Sequence, residues 1–104
     1  MIEAFLKHLD MNRSKILIVD DIFYNILALE NILRLKCKID SLKVCERALG
    51  GMQAIKVFKE DLEKNNNKKS NFPLILMDCN MPDLDGYDAT DRIRMIVAEL
   101  GLPQ

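Results

Sequence analysis

The sequence predicts an α/β fold in which helices cover both faces of a parallel β-sheet. Three short apolar segments alternate along the chain with three longer segments whose apolar residues recur at helical spacing. Two of the apolar segments end directly in carboxylates, which are common where a strand becomes a loop. Strands that alternate with helices are joined by right-handed crossovers, and such connections produce a parallel sheet.

The first half of the chain supplies two strands and one helix. Residues 15–21 (Lys-Ile-Leu-Ile-Val-Asp-Asp) are typical of a short strand buried on both faces. Residues 42–45 alternate in polarity and predict a less buried edge strand. Between them, apolar residues spaced by three or four positions predict an amphipathic helix of about 14 residues, marked by Ile22, Ile26, Leu29 and Leu33.

The second half supplies a further strand and two helices. Gly50 and Gly51 interrupt the chain, and residues 54–62 then show helical spacing. The polar residues 63–71 predict a loop, and the apolar residues 74–78 predict a third strand that again ends in a carboxylate. Residues 89–100 predict the last helix. The continuous apolar runs of the first and third strands favour central positions in the sheet.

Residues 1–13 carry one apolar stripe at helical spacing and are interpreted as a lead-in helix or linker, which leaves residues 14–104 as the domain. No apolar run approaches the roughly 20 residues that span a bilayer, and charges interrupt any signal-peptide core at the N-terminus. We therefore expect no membrane insertion and a cytoplasmic location, although a parent protein could be attached to a membrane.

The composition excludes several classes of function. There are 15 basic and 16 acidic residues, so the net charge of −1 gives no general attraction to nucleic acid. The three cysteines are an odd number at wide spacing, which predicts reduced thiols rather than a disulfide framework. The single histidine, His8, is far from them in sequence, so a zinc site is not expected.

The acidic residues at two strand ends are the candidate site. Asp20 and Asp21 end the first strand and Asp78 ends the third, so the three carboxylates meet at one edge if these strands are neighbours. Like charges this close require a cation, and oxygen ligands without histidine or cysteine favour Mg²⁺, which commonly bridges to phosphate. The alternative is that each aspartate caps a helix or forms a turn.

Three segments and one further residue resemble the receiver domains of response regulators, particularly those fused to hybrid histidine kinases. Residues 16–21 resemble the family's first strand and acidic pair, and Asn25 matches an Asn frequent early in the next helix. Residues 48–54 are similar to A-x-N-G-x-E-A, with Gly and Gln in place of the Asn and the Glu. Residues 74–86 closely match L-I-L-M-D-x-x-M-P-x-x-D-G. The resemblance covers about residues 14–104.

The resemblance implies a role for each residue of the acidic edge. Asp78 would be the phosphoacceptor of a two-component phosphorelay, taking a phosphoryl group from a phosphohistidine on a histidine kinase or a histidine phosphotransfer protein. Asp21 would bind Mg²⁺ directly, Asp20 directly or through water, and Asn80 through its backbone carbonyl. Such a domain accepts a phosphoryl group and is not an enzyme that turns over an external substrate.

The same resemblance implies a flavodoxin-like, doubly wound sheet of five strands, of which this chain would hold three in the order 2-1-3. The fourth and fifth strands would be missing, and with them a family Ser or Thr and a family Lys that contact the phosphoryl group. The third strand would then be an open edge, which favours self-association. We therefore expect a fragment, a shortened gene product or one half of an exchanged dimer.

Two other functions stay open. The missing Ser or Thr and Lys favour a degenerate receiver that binds a partner without phosphorylation. A Mg²⁺-dependent phosphohydrolase also uses a strand-end aspartate, but its D-x-D pair is absent because Asn80 stands two residues after Asp78. A dinucleotide site is not expected, since no G-x-G-x-x-G follows the first strand. Asp83 and Asp85 are interpreted as solvent-facing or turn residues, not ligands.

Overall fold

The computed structural model describes residues 15–102, apart from the side chain of Leu42, so the predicted lead-in segment at residues 1–13 lies outside it. None of the helices within that range has both the length and the apolarity needed to cross a bilayer. In chain order the elements are β1 (Ile16–Val19), α1 (Phe23–Lys36), α2 (Ser41–Val44), β2 (Cys45–Ala48), α3 (Gly51–Lys64), β3 (Leu74–Met77) and α4 (Gly86–Glu99).

The three strands form a parallel sheet, as the sequence pattern predicted, and their order β2-β1-β3 is the one that the family resemblance implied. Val19, the last residue of β1, lies opposite Ala48 of β2 on one side and Met77 of β3 on the other. The three strands therefore end level with one another. Residues that follow each strand leave the sheet at the same edge.

The core lies on both faces of β1, whose four residues are at most 1% exposed. Leu17 and Val19 pack with side chains of α3 and α4 on one face, and Ile16 and Ile18 pack with side chains of α1 on the other. Each of these buried side chains contributes roughly 1.5–3 kcal/mol relative to exposure. The prediction that helices cover both faces of the sheet is thus confirmed.

The second strand lies later in the chain than the alternation at residues 42–45 indicated. Residues 41–44 form one helical turn, and the strand comprises Cys45–Ala48. Two charged residues interrupt the apolar pattern of this strand, so the sequence did not indicate it. In the structure both charged side chains are paired with residues of neighbouring segments. Glu46 accepts a hydrogen bond from Lys15 at 2.8 Å, and Arg47 donates two to the buried Glu30 of α1 at 2.7 and 2.8 Å.

The third strand lies at the edge of the described sheet, as the order 2-1-3 implied, and not at the central position that its apolar run favoured. Within residues 15–102 it pairs only with β1, and its four residues are all half-buried. A continuous apolar run therefore did not distinguish a strand with two neighbours from a strand with one.

Candidate functional site

The acidic residues stand where two neighbouring strands end, and backbone hydrogen bonds across the sheet hold them there. The backbone N–H of Asp20 donates to the carbonyl of Ala48 at 3.1 Å, which ties it to the end of β2. The N–H of Asp78 donates to the carbonyl of Val19 at 2.9 Å, which ties it to the end of β1. Both carboxylates are consequently carried by the rigid part of the fold.

Asp20, Asp21 and Asp78 each offer a carboxylate oxygen, and these oxygens lie within 4.8 Å of one another. Asp20 is buried, Asp78 half-buried and Asp21 exposed, so the cluster is open to solvent on one side. Three negative charges at this separation repel one another, and a cation placed among them removes the repulsion. The donor set of hard oxygens fits Mg²⁺, which binds a few carboxylates and keeps water on its remaining positions.

The carboxylate of Asp20 is fixed in orientation by two hydrogen bonds. One oxygen accepts from the backbone N–H of Ile22 at 2.9 Å, and the other accepts from the side-chain amide of Asn25 at 3.1 Å. Asn25 lies in the first turn of α1, so the helix holds the buried acid in place. The family resemblance assigned no role to Asn25, whereas the structure shows that its side chain orients the carboxylate of Asp20.

Residues 78–86, here called the acceptor loop, connect β3 to α4. The backbone N–H of Gly86 donates to the carbonyl of Cys79 at 3.0 Å and closes the loop. A Cβ on Gly86 would lie 2.2 Å from the carbonyl oxygen of Asp78, so only glycine permits this approach. Met81 is buried in the core, and Asn80 is exposed on the loop two residues after Asp78. A ligand role for the Asn80 carbonyl stays a prediction.

The two further aspartates of the acceptor loop cap different helices. Asp85 accepts from the backbone N–H of Asp88 at 2.9 Å and is the N-cap of α4, in keeping with a turn residue. Asp83 accepts from the N–H groups of Gly51 at 3.3 Å and Met52 at 3.1 Å, at the start of α3. The interpretation of Asp83 as a solvent-facing or turn acid missed this contact, because the two segments are far apart in sequence.

Six exposed apolar side chains follow the same strand ends as the acidic cluster. They all follow the carboxyl ends of the strands, and their exposed fractions range from 45% to 81%. On α1 and the residue before it they are Ile22, Phe23 and Tyr24, and beyond the other strands they are Leu49, Met52 and Tyr87. Large apolar groups gathered on one side of a molecule are typical of a protein-binding surface. We call these six side chains the apolar rim.

Comparison with known proteins identifies a family for this arrangement. The family model of the response regulator receiver domain matches residues 16–100. The hybrid signal transduction histidine kinase B of Dictyostelium discoideum is 36% identical over 81 residues, and the histidine kinase CKI1 of Arabidopsis thaliana is 32% identical over 93 residues. These matches cover 78% and 86% of the chain but 3% and 8% of the two kinases.

Solved structures agree with the sequence comparison. The receiver domain of CKI1 from Arabidopsis thaliana, crystallised with Mg²⁺, superposes with a TM-score of 0.75 at 29% identity. The match covers 88% of the present chain and 63% of that domain. The receiver domain of Ssk1 from Saccharomyces cerevisiae, in complex with the histidine phosphotransfer protein Ypd1, superposes with a TM-score of 0.65 at 30% identity. It is matched over 86% of the present chain and 52% of its own length.

Proposed function

Because the chain belongs to the response regulator receiver domain family, we propose that it accepts a phosphoryl group on Asp78 with Mg²⁺ bound at the acidic cluster. The observation that carries this proposal is the approach of three carboxylate oxygens to within 4.8 Å at the ends of two adjacent strands. Asp20 and Asp21 would hold the metal together with Asp78 and the backbone carbonyl of Asn80. When bound, Mg²⁺ would neutralise negative charge on the carboxylates and on the incoming phosphoryl oxygens.

The proposed reaction asks little of the protein beyond positioning. A carboxylate oxygen of Asp78 forms a bond to the phosphorus of a phosphohistidine, and the bond between phosphorus and the imidazole nitrogen breaks. The nitrogen keeps the electron pair of that bond, and Asp78 becomes an acyl phosphate. The backbone hydrogen bond from Asp78 to Val19, at 2.9 Å, supports this role because it fixes the attacking residue on the sheet.

The proposed phosphodonor is a histidine kinase or a histidine phosphotransfer protein that covers the acidic edge. A donor that delivers a phosphoryl group to Asp78 must approach over the apolar rim, where Tyr24 and Tyr87 are 81% and 70% exposed. Burying such side chains in an interface would stabilise the encounter. In the Ssk1 complex the receiver domain is likewise bound to a phosphotransfer protein.

The test is phosphorylation by a small acyl phosphate in the presence of Mg²⁺, followed by intact-mass measurement. We expect the wild-type chain to gain one phosphoryl group that hydroxylamine removes, and the gain to disappear in Asp78→Asn and on addition of a chelator. Asp88→Asn is the matched control, since Asp88 is an exposed carboxylate in the first turn of α4. It should be labelled like the wild type.

Two results would contradict the proposal. One is a folded wild-type chain that takes no label although calorimetry shows Mg²⁺ binding, which would favour a degenerate receiver that binds partners without phosphorylation. The other is label that persists in Asp78→Asn, which would place the acceptor elsewhere.

A further inference from the structure

Asp83 lies within the acceptor loop, five residues after Asp78, and reaches across to α3. Its carboxylate accepts hydrogen bonds from the N–H groups of Gly51 and Met52, the first two residues of that helix. We propose that Asp83 is a positioning residue that holds the acceptor loop against α3 and thereby sets the rate at which Asp78 is phosphorylated. The effect on rate rests on the proposed function, whereas the effect on loop order does not.

The start of α3 needs a cap from outside the helix. Its N-cap residue, Gly50, has no side chain, although the first N–H groups of a helix require acceptors. Gln53 supplies one half of a capping arrangement, because its side-chain oxygen accepts from the N–H of Leu49. Asp83 supplies the other half from a segment 31 residues away in the chain. A carboxylate is also favoured there by the positive end of the helix dipole.

A glycine at position 50 leaves space for the carboxylate of Asp83. Its φ of 173° and ψ of 169° are extended values that any residue adopts. A Cβ at this position would lie 2.7 Å from one carboxylate oxygen of Asp83, and its next nearest neighbours are atoms of the same side chain. The glycine and the distant aspartate are therefore complementary, because a side chain at position 50 would displace the carboxylate.

The loop and the helix also approach each other through their backbones. A Cβ on Gly51 would lie 2.4 Å from the carbonyl oxygen of Leu84, the residue after Asp83. The two ends of the loop meet at the acceptor, since Gly86 packs against the carbonyl of Asp78. The contacts of Asp83, Leu84 and Gly86 restrict the motion of the loop, and they therefore restrict the motion of Asp78 relative to α3. Release of Asp83 would loosen the segment that carries the acceptor.

The charge state of Asp83 agrees with this contact. The pKa of Asp83 is lowered, first by the hydrogen bond from the N–H of Met52 and further by backbone N–H groups that include that of Gly51. The ionised form, which accepts the two hydrogen bonds, is thus the form that the fold favours.

The experiment separates capping of α3 from positioning of the loop. Asp83→Ala removes both effects. In the double variant Asp83→Ala/Gly50→Asn, the space left by the carboxylate admits an asparagine that caps α3 locally but has no tie to the loop. Asp83→Asn keeps one acceptor oxygen and serves if the alanine variant does not fold. Glu60→Gln, which removes an exposed carboxylate from the same helix, is the control for charge.

Three quantities are measured for each variant: the midpoint of thermal unfolding, amide hydrogen exchange of residues 79–86, and the labelling rate by acyl phosphate at saturating Mg²⁺. We expect Asp83→Ala to lower the midpoint and the double variant to recover it. The double variant should still label slower by on the order of tenfold, and its acceptor loop should exchange faster than that of the wild type. Asp83→Asn should lie between wild type and Asp83→Ala, and Glu60→Gln should match the wild type.

A double variant with wild-type labelling and wild-type exchange would overturn the inference and reduce Asp83 to a helix cap. If the wild-type chain takes no label at all, the proposed function fails, and hydrogen exchange alone then tests whether Asp83 holds the acceptor loop against α3. In that case faster exchange in the double variant supports the tie between loop and helix, and unchanged exchange refutes it.

Discussion

Two cysteines of this small fold differ in their exposure to solvent. Cys79 is exposed beside Asp78, whereas Cys45 is half-buried in β2. Burial, reinforced by the carboxylate of Glu30 and opposed by Arg47, raises the pKa of Cys45 from its ordinary value of 9.0 to about 11. Because the thiolate is the reactive form, the raised pKa disfavours reaction of Cys45, whereas exposure leaves Cys79 accessible to reagents.

We expect a thiol reagent at pH 8 to modify Cys79 well before Cys45. Raising the pH towards 11 should make Cys45 reactive, since its pKa is about 11 in the folded chain. The unfolded chain loses that proton near pH 9 while the folded chain keeps it, so this thiol makes the fold less stable as pH rises from 9 to 11. Peptide mapping after timed alkylation measures the order of modification. Equal rates at pH 8 would contradict the raised pKa and the partial burial of Cys45.

Among the elements, α3 contacts loops at both the acidic edge of the sheet and the opposite edge. Its first turn receives Asp83 from the acceptor loop, and near its other end the buried Asp61 organises the polar loop that leads to β3. One oxygen of Asp61 accepts from the hydroxyl of Ser70 at 2.8 Å and from the N–H of Asn71 at 2.9 Å. The N–H of Lys15 in turn donates to the carbonyl of Asn71 at 2.7 Å, at the start of β1. This loop therefore lies at the opposite edge of the sheet from the acids.

The asparagines of that loop have specific structural roles. The side-chain amide of Asn65 donates to the backbone carbonyl of Asp61 at 2.8 Å. Asn66 and Asn67 adopt φ values of 56° and 57°, in the left-handed region that asparagine tolerates better than most residues. A low-complexity composition thus has a conformational reason here, which the sequence pattern alone did not reveal.

We predict that Asp61→Ala lowers the free energy of unfolding by about 2 kcal/mol, because the hydroxyl of Ser70 and the N–H of Asn71 lose their charged acceptor. Labelling of Asp78 should be unchanged at temperatures where the variant is folded, since the two sites lie at opposite edges of the sheet. Chemical denaturation and the acyl phosphate assay measure the two effects. Asp61→Asn, which keeps one acceptor oxygen, is the matched control and should lose less stability. A loss of labelling in folded Asp61→Ala would show that the two edges are coupled.

At the scale of the whole molecule, β2 and β3 are both edge strands of the described sheet, and β3 is the more apolar of the two. The outer edge of β3 has no strand partner within residues 15–102. An apolar groove of about 360 Å³ lies beside it, lined by Phe58, Phe72, Ile75, Met77, Ile93 and Val97, among others. An unpaired strand edge beside apolar surface is a template for association with another strand.

We predict that the 104-residue chain associates with itself as its concentration rises, because two β3 edges can pair and cover their grooves. Sedimentation velocity over a range of concentrations should show an increasing average mass, and thermal unfolding by circular dichroism should depend on concentration. A monomer at every concentration, with a single sharp and concentration-independent transition, would refute self-association through this edge.

The amino-acid sequence by itself determined the alternation of strands and helices, the parallel sheet and the identity of the strand-end acids. These follow from patterns that are local in the chain, such as apolar runs ending in Asp20 and Asp78. The motif matched at residues 74–86 ends in Gly86, and the structure shows the close approach of this glycine to the backbone of Asp78.

Only the tertiary structure decided the position of β2, the orientation of Asp20 by Asn25 and the contact of Asp83 with α3. The sequence pattern does not show that the charged residues of β2 belong to a strand. In the structure they pair with Lys15 and Glu30. Asp83 meets its helix across 31 or 32 positions of sequence. Hydrogen bonds between distant segments depend on how the elements pack, and this packing is set by the whole core and not by any one stretch of residues.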